Sequence, residues 1–99
     1  GIYVDAGSAI TMDRVSNGKY EGGLILPGIH SYEKSYREIS TRLAVDIKRD
    51  IDISVLPRST SDGVSFGVVV PMIAILTSMA NDLNLYFTGG DGEWLSKYF

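Results

Sequence analysis

The residues best suited to chemistry stand together near the start of the chain, in Asp5-Ala6-Gly7-Ser8-Ala9-Ile10-Thr11-Met12-Asp13, directly after the apolar run Ile2-Tyr3-Val4. A carboxylate at the end of a strand offers a hard oxygen ligand to a cation. A glycine beside it lets a phosphate approach the backbone, where successive N–H groups form an anion nest, and the Ser8 hydroxyl adds a donor on the same turn. Taken alone, the stretch is explained better as an ordinary hairpin, because Asp, Gly and Ser are favoured turn residues. Thr11 and Asp13 share one strand face by alternation. A second candidate is Gly89-Gly90, which follows the strand pattern at 84–88 and precedes a helical pattern. A strand that ends in glycines before a helix is a common place for nucleotide contact, and equally a common plain turn.

Three short strands are expected to position the first group, at residues 2–5, 9–15 and 19–26, from their β-branched and aromatic content and the turns between them. Asn17-Gly18 favours the hairpin turn that matches strand twist, so the three form an antiparallel meander. Gly22-Gly23 inside the third strand points to a bulge or to a close approach of ligand or backbone, and Pro27-Gly28 ends it. From 29 to 43 the apolar residues Ile29, Tyr32, Tyr36, Ile39 and Leu43 fall on one helical face, with Glu33, Lys34, Arg37 and Glu38 on the other. Glu33 and Arg37 are spaced as a helix ion pair. His30, the only histidine, receives no role.

Residues 44–58 read as a short strand around Ile51, Ile53 and Val55 or as an irregular connection. Ser59-Thr60-Ser61-Asp62 reads as a helix start with capping hydroxyls. Val64, Val68, Met72, Ile75, Leu76 and Met79 then continue a helical stripe to Asn81 through Pro71. An internal proline removes a hydrogen bond, so the alternative is a strand over 66–70 followed by a helix opened by Pro71; one kinked helix is preferred. Met72 and Met79 read as core filler. Residues 84–88 form a buried strand, and Glu93 to Phe99 another helix.

Composition bounds the function classes. With 44% hydrophobic and 21% charged residues over 99 positions, the chain has the make-up of one small soluble domain with a core, and the strands and helices read above make it α/β. A net charge of −3 without a basic block gives no footprint for nucleic acid or an anionic membrane. The absence of cysteine fits a cytoplasmic protein. The longest apolar run, Val68 to Leu76, is broken by Pro71 and falls short of the roughly 20 residues a membrane span needs. Starting inside a core strand and stopping after an aromatic-rich end, the chain is expected to be part of a longer polypeptide, incomplete at both ends.

Taken in order, Asp5-Ala6-Gly7-Ser8-Ala9-Ile10-Thr11-x-Asp13, Gly22-Gly23-x-Ile25-x-Pro27-Gly28, Thr60 with Gly67 after it, and Thr88-Gly89-Gly90-Asp91 resemble the C-terminal half of a type III pantothenate kinase. The likeness runs over essentially the whole chain, and four spaced motifs in order are far more specific than any one. Some members of this family carry the older label of Bvg accessory factor, a transcriptional regulator. The family belongs to the actin-like ATPase superfamily, so the resemblance implies an RNase H-like domain: a three-stranded meander followed by helices and a further strand, with the last strand lying beyond Phe99.

In two-domain kinases of this kind the first phosphate loop belongs to the N-terminal domain. A Gly-x-Asp-Arg segment upstream of the second half carries the aspartate general base, expected before Gly1. The resemblance further implies that Asp5 binds the required monovalent cation, potassium or ammonium. Gly7 and Ser8 would contact ATP and its Mg2+-bound phosphates, Ser8 standing where the family usually has threonine. Gly89 and Gly90 match the adenosine side. Thr60 matches the pantothenate contact, completed across a homodimer, although a helix cap explains Thr60 too. Thr11 and Asp13 are supporting candidates. The implied reaction is transfer of the ATP γ-phosphate to the primary hydroxyl of pantothenate, the first step toward coenzyme A, with residues 1–99 inactive by themselves. Two readings stay open beside it: a non-catalytic regulatory protein of the same fold, and an actin-like or sugar-kinase relative with another substrate.

Overall fold

Ile2, Val4 and Ala6 alternate with Tyr3 and Asp5, so a strand built from them buries one face and presents the other, as β1 (Ile2–Ala6) does. The computed structural model describes residues 1–99. β2 (Ala9–Ser16) and β3 (Lys19–Pro27) complete the antiparallel meander expected from the sequence. Asn17 and Gly18 both take positive φ, 53° and 72°, as the tight turn between them requires. The glycine pair marks a bulge: the register shifts between Arg14 and Val15, opposite Gly22, whose φ is 125°. β4 (Leu85–Thr88) adds to β1 in parallel, giving a four-stranded mixed sheet in the order β3-β2-β1-β4.

Three helices cover one face of this sheet. Ile2, Val4, Ala6, Ile10 and Met12 form a single core with Ile29 of α1 (Ile29–Ile39), Leu95 of α3 (Gly92–Ser96) and the inner side of α2 (Thr60–Ala80). Helix α1 is shorter than expected, because Ser40 turns to extended backbone and only a single 3₁₀ turn, Thr41–Leu43, follows. Its inward face is also rotated. Ile39 is 70% exposed, whereas Glu33 is buried. The reason is a hydrogen bond: the Glu33 carboxylate accepts the Ile47 N–H at 2.9 Å and lies 3.1 Å from His30 Nδ1, so it serves the connection packed over α1 and forms no pair with Arg37.

That connection, residues 44–58, contains no strand; Ile53, Val55 and Leu56 are exposed and Ile47 is its buried anchor. α2 is one continuous helix with Pro71 inside it, capped by Ser59, whose hydroxyl accepts the Asp62 N–H at 3.1 Å. It buries Val64, Ser65, Val68, Val69, Met72, Leu76 and Ala80, leaving Ile75 of the expected stripe at the surface. At 21 residues α2 is long and apolar enough to cross a membrane, which corrects the expectation that no segment would be: the helix runs through the proline at which the apolar run was broken. Its buried side chains belong to the core over the sheet, and the core helix of a folded domain meets the same length and composition test. β4, expected to be buried, is an edge strand with Tyr86 and Thr88 exposed. α3 ends at Ser96, short of the expected Phe99.

If α2 packs on the sheet in this orientation, truncating its two faces has unequal cost. Leu76→Ala is expected to lower stability by about 2 to 5 kcal/mol, as for other buried leucines, and Ile75→Ala by clearly less. Chemical denaturation of the two variants checks the order.

Candidate functional site

Parallel pairing of β1 with β4 sets Asp5 opposite Thr88, so the turn after each strand leaves the sheet at the same edge. Just beyond, the Asp91 N–H donates to the Ala6 carbonyl at 2.8 Å. Gly89, with φ of 86°, lies so close to β1 that a side chain there would meet the Ala6 carbonyl at 2.6 Å and Asp5 Oδ1 at 2.7 Å. Only glycine accepts both the conformation and the approach. The space that a Cβ at position 89 would fill is therefore bounded by two oxygens, one of them anionic. Such a donor set fits a cation preferring oxygen ligands. No group of three or more His, Cys, Asp or Glu side chains is gathered anywhere in the chain, so backbone oxygens would have to complete the shell around Asp5.

A third motif closes the same edge. Gly28 donates its N–H to the Ser8 carbonyl at 3.1 Å, and a Cβ at position 28 would strike the carbonyl oxygens of Ser8 and Gly7. α1 starts at the next residue, with no side-chain cap and no acidic residue in its first turn. Its leading N–H groups, those of Ile29, His30 and Ser31, have no backbone acceptor and face the start of the helix beside the Gly7-Ser8 turn. This is favourable ground for an anion. The nest expected at Gly7 is smaller than the sequence implied, since the Gly7 N–H is spent on the Ala9 carbonyl at 3.0 Å. Ser8 is exposed, and its N–H has no backbone acceptor. Gly28 and the α1 N-terminus were missed as site elements, although a glycine directly before a helical pattern was the available signal.

Thr11 and Asp13 do share a face with Asp5. Together with Tyr3, Tyr86 and Thr88 they line a shallow cavity of about 300 Å³ on the side of the sheet away from the helices. Tyr3 and Tyr86 stack there with ring centroids 5.1 Å apart. Asp13 accepts the Tyr20 hydroxyl at 3.3 Å, and a side chain at Gly23 would collide with the Asp13 carboxylate and the Met12 carbonyl. Desolvation first, and then the Asp13 charge and hydrogen bond, raise the Tyr20 hydroxyl above the usual tyrosine range.

The sequence places Asp5, Gly7, Ser8, Gly89 and Gly90 on two turns far apart in the chain, and the β1–β4 ladder makes those turns neighbours. Gly90 itself is exposed with open space around it. Thr60 lies elsewhere. It is exposed at the first residue of α2 and does not line the cavity beside Asp5. Its hydroxyl is not the helix cap, because Ser59 fills that role. Nearby, a larger cavity of about 490 Å³ is lined by Lys48, Ile51, Leu56, Arg58, Asp62 and Phe66, among others. The Lys48 ammonium beside Asp62, followed by the Ser59 hydrogen bond, holds the Asp62 carboxyl below its ordinary value.

A sequence profile of the type III pantothenate kinase family matches residues 1–82. Proteins named type III pantothenate kinase are similar over the chain: 44% identical across 99 residues in Campylobacter jejuni, covering 100% of this chain and 47% of the relative. The relative from Helicobacter hepaticus is 40% identical, with 100% and 48% covered. That from Helicobacter pylori is 41% identical over 98 residues, with 99% and 44% covered. The chain spans about half the length of the curated relatives it matches. A crystal structure from Campylobacter jejuni, described as a Baf family transcriptional activator, superposes with a TM-score of 0.93 at 44% identity, covering 100% of this chain and 47% of that one.

The close approach at Gly28 is open to a direct test. Gly28→Ala forces a methyl group into the backbone of the Gly7-Ser8 turn and is expected to cost about 1 to 3 kcal/mol, the range for overpacking. Gly63→Ala, on α2 with open space around it, is expected to be neutral or to stabilise by up to about 1 kcal/mol. Thermal unfolding of both variants separates a site glycine from an incidental one.

Proposed function

Because the chain belongs to the type III pantothenate kinase family, we propose that residues 1–99 are the C-terminal, RNase H-like domain of a two-domain enzyme that phosphorylates pantothenate with ATP, the first step of coenzyme A biosynthesis. The observation that carries this reading is the meeting of three glycine motifs around one carboxylate at a single edge of the sheet. Phosphoryl transfer depends mainly on positioning and on stabilising charge, and such an edge offers both. A sheet that opens with a three-stranded meander and adds a parallel strand beside β1 agrees with the RNase H-like assignment.

In this proposal Ser8 and the start of α1 hold the phosphates of Mg2+-bound ATP through N–H and hydroxyl donors, and Gly7 lets them approach. Gly89 and Gly90 leave room for the adenosine side. Asp5, with neighbouring backbone carbonyls, holds potassium or ammonium; when bound, the cation supplies positive charge close to the phosphates. Thr11 and Asp13 stand behind Asp5 on the same face. Thr60, set apart from this edge, contacts pantothenate in a site completed by a second copy of the protein. The general base lies in the half of the family's sequence that precedes Gly1, so residues 1–99 alone do not catalyse transfer. The working place of such an enzyme is the cytoplasm. A regulatory protein of the same fold is the second reading, favoured by the description of the Campylobacter jejuni crystal structure.

Full-length protein carrying these residues is expected to convert pantothenate to 4'-phosphopantothenate with ATP and potassium, which a coupled assay reads directly. Its inactivity under these conditions would favour the regulatory reading. Asp5→Asn is expected to raise the half-activating potassium concentration by about tenfold or more, the readout of about 1.4 kcal/mol of lost binding. An unchanged potassium dependence removes Asp5 from the cation role.

A further inference from the structure

We propose that Asp91, locked by Arg49 and Trp94, is a positioning residue that fixes the Gly89-Gly90 turn against Asp5 and so sets the affinity of that corner for its cation. The inference rests on the cation role proposed for Asp5. It starts from the fact that Asp91 is tied from both its backbone and its side chain. Its N–H holds the Ala6 carbonyl at 2.8 Å. Its carboxylate oxygen Oδ1 accepts from Arg49 Nε at 3.1 Å and from Trp94 Nε1 at 2.8 Å. The Asp91 side chain is only 19% exposed, so these are partly desolvated, charge-assisted bonds, stronger than their surface equivalents.

Arg49 is itself held. Its guanidinium donates to the Ile47 carbonyl at 3.3 Å, and its own carbonyl accepts the Tyr98 hydroxyl at 2.5 Å. The Ile47 N–H is bound in turn by buried Glu33. A continuous set of bonds therefore runs from α1, through the 44–58 connection, to the glycine turn. Gly89 sits where a methyl group would touch Asp5 Oδ1 and the Ala6 carbonyl, so a small retreat of the turn widens that corner. Arg49 and Trp94 do not line the cavity beside Asp5, and both bond the Asp91 carboxylate, so their effect on that corner passes through Asp91.

Full-length protein is tested as Asp91→Asn, Arg49→Gln, Arg49→Lys and Trp94→Phe, by potassium titration of activity and by the potassium-dependent rise in Tm. Asp91→Asn and Arg49→Gln loosen the turn whose backbone N–H holds the Ala6 carbonyl and are expected to raise the potassium midpoint about tenfold, the low end of what lost support around a metal ligand costs. Over the same titration kcat at saturating potassium and KM for pantothenate stay within about twofold, because neither side chain is assigned a contact with pantothenate or with the reacting atoms. Arg49→Lys, which keeps the charge and loses the fork, recovers part of the affinity. Midpoints equal to wild type in folded Asp91→Asn, or a fall in kcat with the midpoint unmoved, overturn the proposal. Should Asp91→Asn fail to fold, Arg49→Gln and Trp94→Phe decide on the same criteria. If wild type ignores pantothenate yet potassium still raises its Tm, and raises it less in Asp91→Asn, the kinase reading fails and the positioning role stands. Activity on pantothenate with unchanged potassium midpoints in every variant leaves the kinase reading standing and removes the positioning role. Wild type blind to potassium in both readouts ends both.

Discussion

The structure depends on one pairing, the parallel ladder between β1 and β4. It joins residues from the two ends of the chain and places Asp5 beside Thr88. A parallel ladder needs a long crossover, here everything from β2 through α2, so the two turns at its end are neighbours in the fold and far apart in the chain. The site is thus a product of the finished fold. No short segment of this chain contains it.

Close backbone approach is the second constraint, and it is met at two glycines for different reasons. Gly89 must be glycine both for its positive φ and for its distance from the Asp5 carboxylate. At Gly28 the reason is contact alone, with the carbonyls of the opposite turn. Gly7, which carries the name of a phosphate-loop residue, has neither constraint: its φ is not positive and the nearest atom to an added Cβ is 4.0 Å away. Nothing in this chain's own packing requires a glycine at position 7.

Local signals carried well where one element decides its own shape. The meander, the Asn17-Gly18 turn, the Ser59 cap region and the existence of α2 all follow from short-range chemistry. They fail where a distant group decides. Glu33 looks like a solvent-facing helix residue, but its carboxylate accepts the Ile47 N–H of the 44–58 connection and lies beside His30 Nδ1, so inside the fold neither the acid nor that backbone donor is left without a partner. Ile39 is the other half of that rotation, left at the surface when Glu33 turns inward. β4 has the apolar composition of a buried strand and sits at the sheet edge. Asp5 and the glycine turns were legible as candidates, and their juxtaposition was not, because register across a parallel pair has no local code.

Core and site are written into the same five residues of β1. Even positions face the helices and are almost wholly inaccessible; odd positions carry Tyr3 and Asp5 outward. With a side-chain period of two, a slip of one residue in the β1 register would drive the Asp5 carboxylate into the core and expose Val4. Burying an unpaired carboxylate costs several kcal/mol, and exposing Ile2, Val4 and Ala6 forfeits their burial as well. The energy that holds the core in register is therefore the same energy that holds Asp5 at the edge where the turns meet. Stability and site geometry cannot be varied independently in this strand, and tuning must come from the partners around it, on β4, α1 and the connection between the helices.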